Sequence, residues 1–169
     1  RLAQFSLTAN DTYNIYYYLY AAIASVNNAI EKAALLEDAE GAAPYVAELY
    51  AMRGLFQFHL ATYFAPIPTS GSPNHMGIVL SDRVFAVDYI GERASLTDTY
   101  DFIISDFTRA VDSGLNKDRN TGHMNYWAAL ALRARANLYA GNYQAALKDA
   151  VQLIEESPYR LYTTGNYMK

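Results

Sequence analysis

The chain has 169 residues, 52% of them apolar, a formal net charge of −4 and no cysteine. Its length and apolar content suit one packed domain or part of one and argue against disorder. An acidic balance with scattered Lys and Arg excludes phosphate-led nucleic-acid binding, the lack of cysteine excludes disulfides and thiol chemistry within the chain, and no apolar run reaches the roughly 18–20 residues that cross a bilayer. The compartment stays open on cysteine usage alone. The opening Arg1-Leu2-Ala3 carries neither an initiator Met nor a signal peptide, which points to a chain that begins inside a longer protein. Sixteen tyrosines are the compositional oddity.

In chain order, the capping-type cluster Thr8, Asn10, Asp11 and Thr12 predicts a helix start. Tyr16, Leu19, Tyr20, Ile23, Val26 and Ile30 then hold helical spacing, and a first helix over about 12–37 follows, closed by Gly41. Pro44 suits the first turn of a second helix, which runs to Phe64 before Pro66 and Pro68 forbid its continuation. Residues 65–94 have no helical stripe, several Gly and Pro, and one short β-like run at Ile78–Leu80. They predict a long loop, and a loop of that length in a compact domain is a site candidate. Ser95, with Asp98 three residues on, caps a third helix to about 113, ended by Gly114.

The stretch 126–158 predicts two helices, about 124–140 and 143–157, folded back at Gly141-Asn142. Their apolar residues recur at three and four, giving one stripe per helix, with the stripes facing each other. Gly141 supplies the left-handed residue that ends one helix, Asn142 accepts hydrogen bonds at the start of the next, and Pro158 stops it. The small residues Ala134, Ala146 and Ala150 match the close approach of tetratricopeptide helix pairs. The expected fold is therefore all-α: antiparallel helical hairpins packed as a tetratricopeptide-like right-handed array, with one long irregular loop, forming a single helical domain over 1–169. One such hairpin cannot bury its face alone.

Read together, these elements resemble the N-terminal helical part of the SusD/RagB family of nutrient-binding lipoproteins. The first helix carries Tyr16, Tyr20, Ile23 and Asn27 at the family's aromatic, Tyr, Ile and Asn spacing. The second carries Glu48, Arg53, Leu60, Tyr63 and Pro66 to Pro68, departing with Gly54 for the usual Ala and Ala65 for the usual Gly. Arg93-Ala94-Ser95 with Tyr100, Ile103, Asp106, Phe107 and Ala110 is similar to the third motif. Ala128-Ala129, Arg135, Leu138-Tyr139, Gly141, Tyr143, Ala146 and Ala150, then Tyr159-x-Leu161, resemble the fourth. The resemblance covers about residues 16–162 and implies a fragment of a longer protein. It also implies non-enzymatic binding of glycans at the cell surface, delivery to a SusC-like TonB-dependent outer-membrane transporter, and attachment to the membrane through a lipid anchor outside this chain.

Residue chemistry alone supports no enzyme. No His spacing places two metal ligands on one face, no nucleophile turn or phosphate-cradling loop is present, and the carboxylate pairs fall on solvated helix faces. No metal or cofactor is therefore expected. Arg53, Arg133, Arg135 and Asp106 lie on largely apolar helices, which predicts a buried ion pair between hairpins, Arg135 with Asp106 first and Arg53 beside them. Tyr20, Tyr50, Tyr100, Tyr139 and Tyr143 fall in phase with the stripes and are expected in the core. Asn10, Asp11, Tyr13, Asn14 and Tyr17 differ, because flat aromatics beside amides and carboxylates are what a sugar ring needs: its C–H face packs on a ring and its hydroxyls take directional hydrogen bonds. Packing against further parts of the protein is the competing account of those tyrosines. The competing function is a tetratricopeptide-like adaptor that grips a peptide, against which the unequal helices and the long loop weigh.

Overall fold

A computed structural model of the protein describes residues 9–36, 39–119, 122–160 and 165, without the side chains of residues 9–11 and 39. Five helices follow in order: α1 (Ala9–Ala33), α2 (Ala39–Phe64), α3 (Leu96–Asp112), α4 (Tyr126–Ala140) and α5 (Tyr143–Glu156). Each packs on its neighbour in sequence, α1 on α2, α2 on α3, α3 on α4 and α4 on α5. The result is the all-α array of helical hairpins expected from the periodicity. The described residues contain no β-strand; Met76 and Ser95 form an isolated antiparallel bridge in the long loop.

Two boundaries differ from expectation. Gly41 does not close α1; α1 ends at Ala33 and Gly41 lies inside α2, which starts five residues before Pro44. A proline removes one donor, that to the carbonyl four residues back, and this end of α2 is exposed, so the helix extends through it. The later caps follow the residue chemistry. Ser95 Oγ accepts from the Asp98 N–H at 3.0 Å and donates to Asp98 Oδ2 at 2.6 Å. Asn125 Oδ1 accepts from Ala128 N–H at 3.0 Å at the start of α4. Gly141 has φ +85° and the Asn142 N–H donates to the Asn137 carbonyl at 2.8 Å, the six-to-one bond of a Schellman turn. Asn142 itself does not cap α5: its amide turns back to Asn137 Oδ1 at 3.3 Å.

The core has two parts. Ile23, Phe58, Leu60, Tyr100, Ile103 and Phe107 join α1, α2 and α3, with Ile78 of the loop inserted among them. Ala47, Ala51, Ala110, Trp127 and Leu130 join α2, α3 and α4. The small residues set the approach distances. A Cβ on Gly54 would lie 3.1 Å from the Phe107 ring and 3.3 Å from Asp106 Cβ, so α2 and α3 approach closely at this glycine. The outer side of the last hairpin stays uncovered. Leu138, Leu147 and Ile154 are exposed, and Tyr143, expected in the core, is 60% exposed. The α4 and α5 stripes are wider than their shared contact, and their outer edges form an open apolar groove of about 500 Å³ over Ala134, Ala146 and Ala150.

Candidate functional site

The long loop is held by a buried polar network, and the network is built from the polar residues of the first three motifs. Arg53 Nε and one terminal nitrogen donate to the two oxygens of Asp106, both at 2.7 Å. Its other terminal nitrogen donates to Asn27 Oδ1 and to the Asp82 carbonyl, each at 2.8 Å. Asn27 in turn donates to Ser81 Oγ at 3.1 Å and to the Arg83 carbonyl at 2.9 Å. Three helices thus grip residues 81–83 from below. Arg53 and Asp106 side chains are 3% and 1% exposed, so their charges survive only as a pair, bidentate and charge-assisted. Burial pushes the Asp106 carboxyl up from the ordinary carboxylate range, against the pull of the Arg53 hydrogen bonds.

Asp106 therefore has Arg53 as its partner, and the expected first pairing with Arg135 is corrected. Arg135 is exposed and its guanidinium lies 5.8 Å from the Phe58 ring and 5.9 Å from the Tyr139 ring. The hydrogen-bonded arginine of α4 is Arg133, two residues earlier, which meets both oxygens of Asp149 on α5 at 2.8 Å. Two residues is half a turn, so the arginines point to opposite sides of α4 and only one reaches α5.

The rest of the loop is fixed in the same manner. Arg93 Nε donates to the Gly77 carbonyl at 2.6 Å, and a terminal nitrogen donates to the Phe64 carbonyl at the end of α2 at 2.9 Å. The Tyr20 hydroxyl donates to the Val79 carbonyl at 2.7 Å. Burial, with Tyr16 beside it, pushes that phenol up, so it stays neutral. Gly77 is needed where it stands, because a Cβ there would fall 1.9 Å from Thr99 Oγ1 and 2.6 Å from the Ser95 carbonyl. The expected β-like run at Ile78–Leu80 forms no strand: Ile78 N–H donates to Thr99 Oγ1, its carbonyl accepts from the Ala94 N–H at 2.8 Å, and the Val79 carbonyl accepts from Tyr20.

The aromatic residues of α1 spread around the helix. Tyr13 and Tyr17 are 61% and 53% exposed, with ring centroids 6.0 Å apart and planes at 23°. Asn14 points elsewhere, into an open apolar groove between α1 and α2 with Tyr18, Phe56, His59 and Tyr63. Burial, then repulsion from Arg135, holds His59 below its ordinary value. The side chains of Asn10 and Asp11 lie outside the described residues. Of the five sequence-derived binding residues, then, Tyr13 and Tyr17 form a stacked, exposed ring pair and Asn14 stands apart from it.

Other groups gave little signal in the sequence. Phe85 and Tyr89 stack face to face at 4.0 Å and 10°, with the Arg83 guanidinium 4.9 Å from the Phe85 ring. Their spacing of four inside a loop without period marks nothing in advance. Chemically, these surfaces offer exposed aromatic ring faces with phenol hydroxyls at their edges. Among the described residues no group of three or more His, Cys, Asp or Glu is placed to hold a metal ion, and no helix is long and apolar enough to cross a membrane.

A stack of helical hairpins with a long loop locked into its side defines a tetratricopeptide-like scaffold. More particularly, the chain belongs to the SusD-like family described as "Starch-binding associating with outer membrane", whose model matches residues 3–138. It is similar to a SusD superfamily protein from Bacteroides thetaiotaomicron VPI-5482, at 28% identity and TM-score 0.83 over 90% of this chain and 34% of that one. A SusD superfamily protein from Bacteroides vulgatus ATCC 8482 matches at 27% identity and TM-score 0.79 over 88% of this chain and 35% of that one. A laminarin-binding SusD-like protein shares the fold at 20% identity and TM-score 0.72, over 88% of this chain and 32% of that one. The chain thus spans about a third of the length of these structures. No curated protein sequence matches it.

Proposed function

We propose that this chain is the helical part of a non-enzymatic protein that captures nutrient oligosaccharides at the cell surface and hands them to a SusC-like outer-membrane transporter. The observation that carries the reading is membership of a starch-binding, outer-membrane-associated family over residues 3–138. The site supports it. Tyr13 and Tyr17 present two exposed, near-parallel aromatic rings in the first turns of α1. A sugar ring gains by stacking on such a face while its hydroxyls stay wet or reach neighbouring amides. The chain is then one part of a single longer domain, and the apolar groove on α4 and α5 is the face on which further helices of that protein continue the array, since stacked hairpins need a neighbour at each open end.

Calorimetric titration of the full-length protein with maltoheptaose and laminarihexaose tests the binding step. Replacing Tyr13 and Tyr17 together by Ala is expected to raise the dissociation constant by about tenfold or more, two aromatic contacts each contributing on the order of 1 kcal/mol. Unchanged affinity removes these tyrosines from the site.

A further inference from the structure

The loop and α1 enclose a second aromatic surface, on the other side of the helix from Asn14. Tyr16 and Tyr20 of α1 face Phe85 and Tyr89 of the loop across a cleft of about 220 Å³, with Ser81 and Gly91 at its sides. We propose that this cleft is a subsite for a single pyranose ring of a glycan. The proposal rests on the glycan-binding reading above and extends it to residues outside the α1 tyrosine pair.

Three observations carry it. The first is rigidity. Tyr20 is tied to Val79, residues 81–83 are tied to Asn27 and Arg53, and Phe85 and Tyr89 brace each other by stacking. An aromatic wall that is already fixed loses little freedom when a ligand arrives. The second is chemistry. The lining offers ring faces together with the phenol hydroxyls of Tyr16, Tyr20 and Tyr89; Tyr20 is held by its bond to the Val79 carbonyl and by the Tyr16 phenol beside it. Among the described residues no charged side chain lines the cleft itself: the Arg83 guanidinium lies over the Phe85 ring and Arg93 is spent on the Gly77 and Phe64 carbonyls, so the lining suits an uncharged ligand. The third is size. The cleft is smaller than the roughly 300 Å³ at which drug-sized pockets begin, room for one ring and not for a chain. Gly91 keeps it open: a Cβ there would lie 2.4 Å from Val79 Cγ1 and 2.9 Å from Tyr89 Cε1.

The test uses the full-length protein, with maltoheptaose and laminarihexaose as probes. Tyr89 is 48% exposed, so its truncation spares the core. Tyr89→Ala is expected to raise the dissociation constant of whichever probe binds by about five- to tenfold, while Tyr89→Phe stays within about twofold of wild type because the stacking face is kept. In the wild type, intermolecular NOEs should join the Tyr89 ring protons to the C–H protons of one sugar residue, a readout that needs no variant to fold. If a probe binds but Tyr89→Ala binds it equally well, or no such NOE is seen, the cleft is not a subsite, and the glycan reading with its Tyr13–Tyr17 surface stands. If the wild type binds neither probe, the glycan reading fails and the subsite fails with it.

Discussion

Asp106→Asn is the substitution that most directly tests how the loop is held. It keeps the shape of the side chain but removes the charge that Arg53 meets through two 2.7 Å hydrogen bonds in a site where both side chains are almost fully buried. Arg53 would keep its bonds to Asn27 and the Asp82 carbonyl and lose its only carboxylate. Breaking one side of such a pair costs about 3–5 kcal/mol, chiefly because the remaining charge stays buried without compensation. Urea denaturation at pH 7 measures this directly, and a double-mutant cycle with Arg53→Met separates the pair from its surroundings. The double variant should be less destabilised than the two singles combined, yet still below wild type. The residual reflects the Asn27 and Asp82 acceptors left without a donor, at about 1–3 kcal/mol each. Burial raises the Asp106 carboxyl, so the folded state holds that proton at a pH where the unfolded chain has lost it. The stability this proton linkage contributes is present at low pH and is lost as pH rises through the raised value. The penalty of Asp106→Asn should accordingly grow toward acid, where the wild type gains this linkage and the variant, with no group to titrate, does not. A loss below about 1 kcal/mol at neutral pH, or a coupling under about 0.5 kcal/mol, would refute the view that this pair anchors the loop.

Gly77→Ala is expected to cost about 1–3 kcal/mol by overpacking, since the new methyl meets Thr99 and the Ser95 backbone and so disturbs the 3.2 Å bond from Ile78 N–H to Thr99 Oγ1; an unaltered thermal midpoint would argue against the close approach. His59 has a depressed folded value, so the unfolded chain takes up its proton first as pH falls below 6.5. The corresponding stability is present above 6.5 and lost as pH drops toward the folded value, and His59→Gln should abolish that part of the loss. Equal pH dependence of the two proteins between 7.5 and 5.0 would contradict it. Leu147→Asp should leave this helical part within about 0.5 kcal/mol of wild type, because Leu147 is exposed here, while destabilising the full-length protein by about 2 kcal/mol or more if further helices cover that groove. Equal effects in both would leave the groove a solvent face.

The helices were legible because each has a strong local signal: a 3.6-residue stripe, a Ser or Asn at its start, a Gly or Pro after its end. A local signal misleads where it competes with helix continuation: Gly41 has the chemistry of a terminator yet lies in the first turns of α2. The ion-pair residues were recognisable by type, since a charge on an apolar helix needs a partner, but pairing depends on which side of a helix each residue faces across a gap of fifty positions. Periodicity fixes the stripe and leaves the azimuth of an individual arginine against a neighbouring helix undetermined, so sequence alone does not separate Arg53 from Arg135 as the partner of Asp106. The site was less legible still. Tyr13 and Tyr17 stand out because helical spacing puts them together, whereas Phe85 and Tyr89 are brought together by a loop path that exists only after Asn27, Arg53 and Arg93 have been satisfied.

That dependence separates what identifies the chain from what it recognises. Asn27, Arg53 and Asp106, the polar residues of the first three motifs, are spent on the root of the loop, tying backbone carbonyls of residues 81–83 to helices that would otherwise bury an unpaired charge. Residues beyond the root close largely on themselves: the Tyr89 N–H donates to the Ala86 carbonyl, and Phe85 stacks on Tyr89. Val87 and Ile90 at the tip are fully and almost fully exposed. Substitutions at Val87 and Ile90 touch few of the contacts that set stability, so their cost to the fold should be within about 0.5 kcal/mol. Under the proposed subsite, exchanging these tip residues beside the Phe85–Tyr89 wall would alter ligand preference without altering the fold, whereas exchanging Asn27, Arg53 or Asp106 would disturb the fold first.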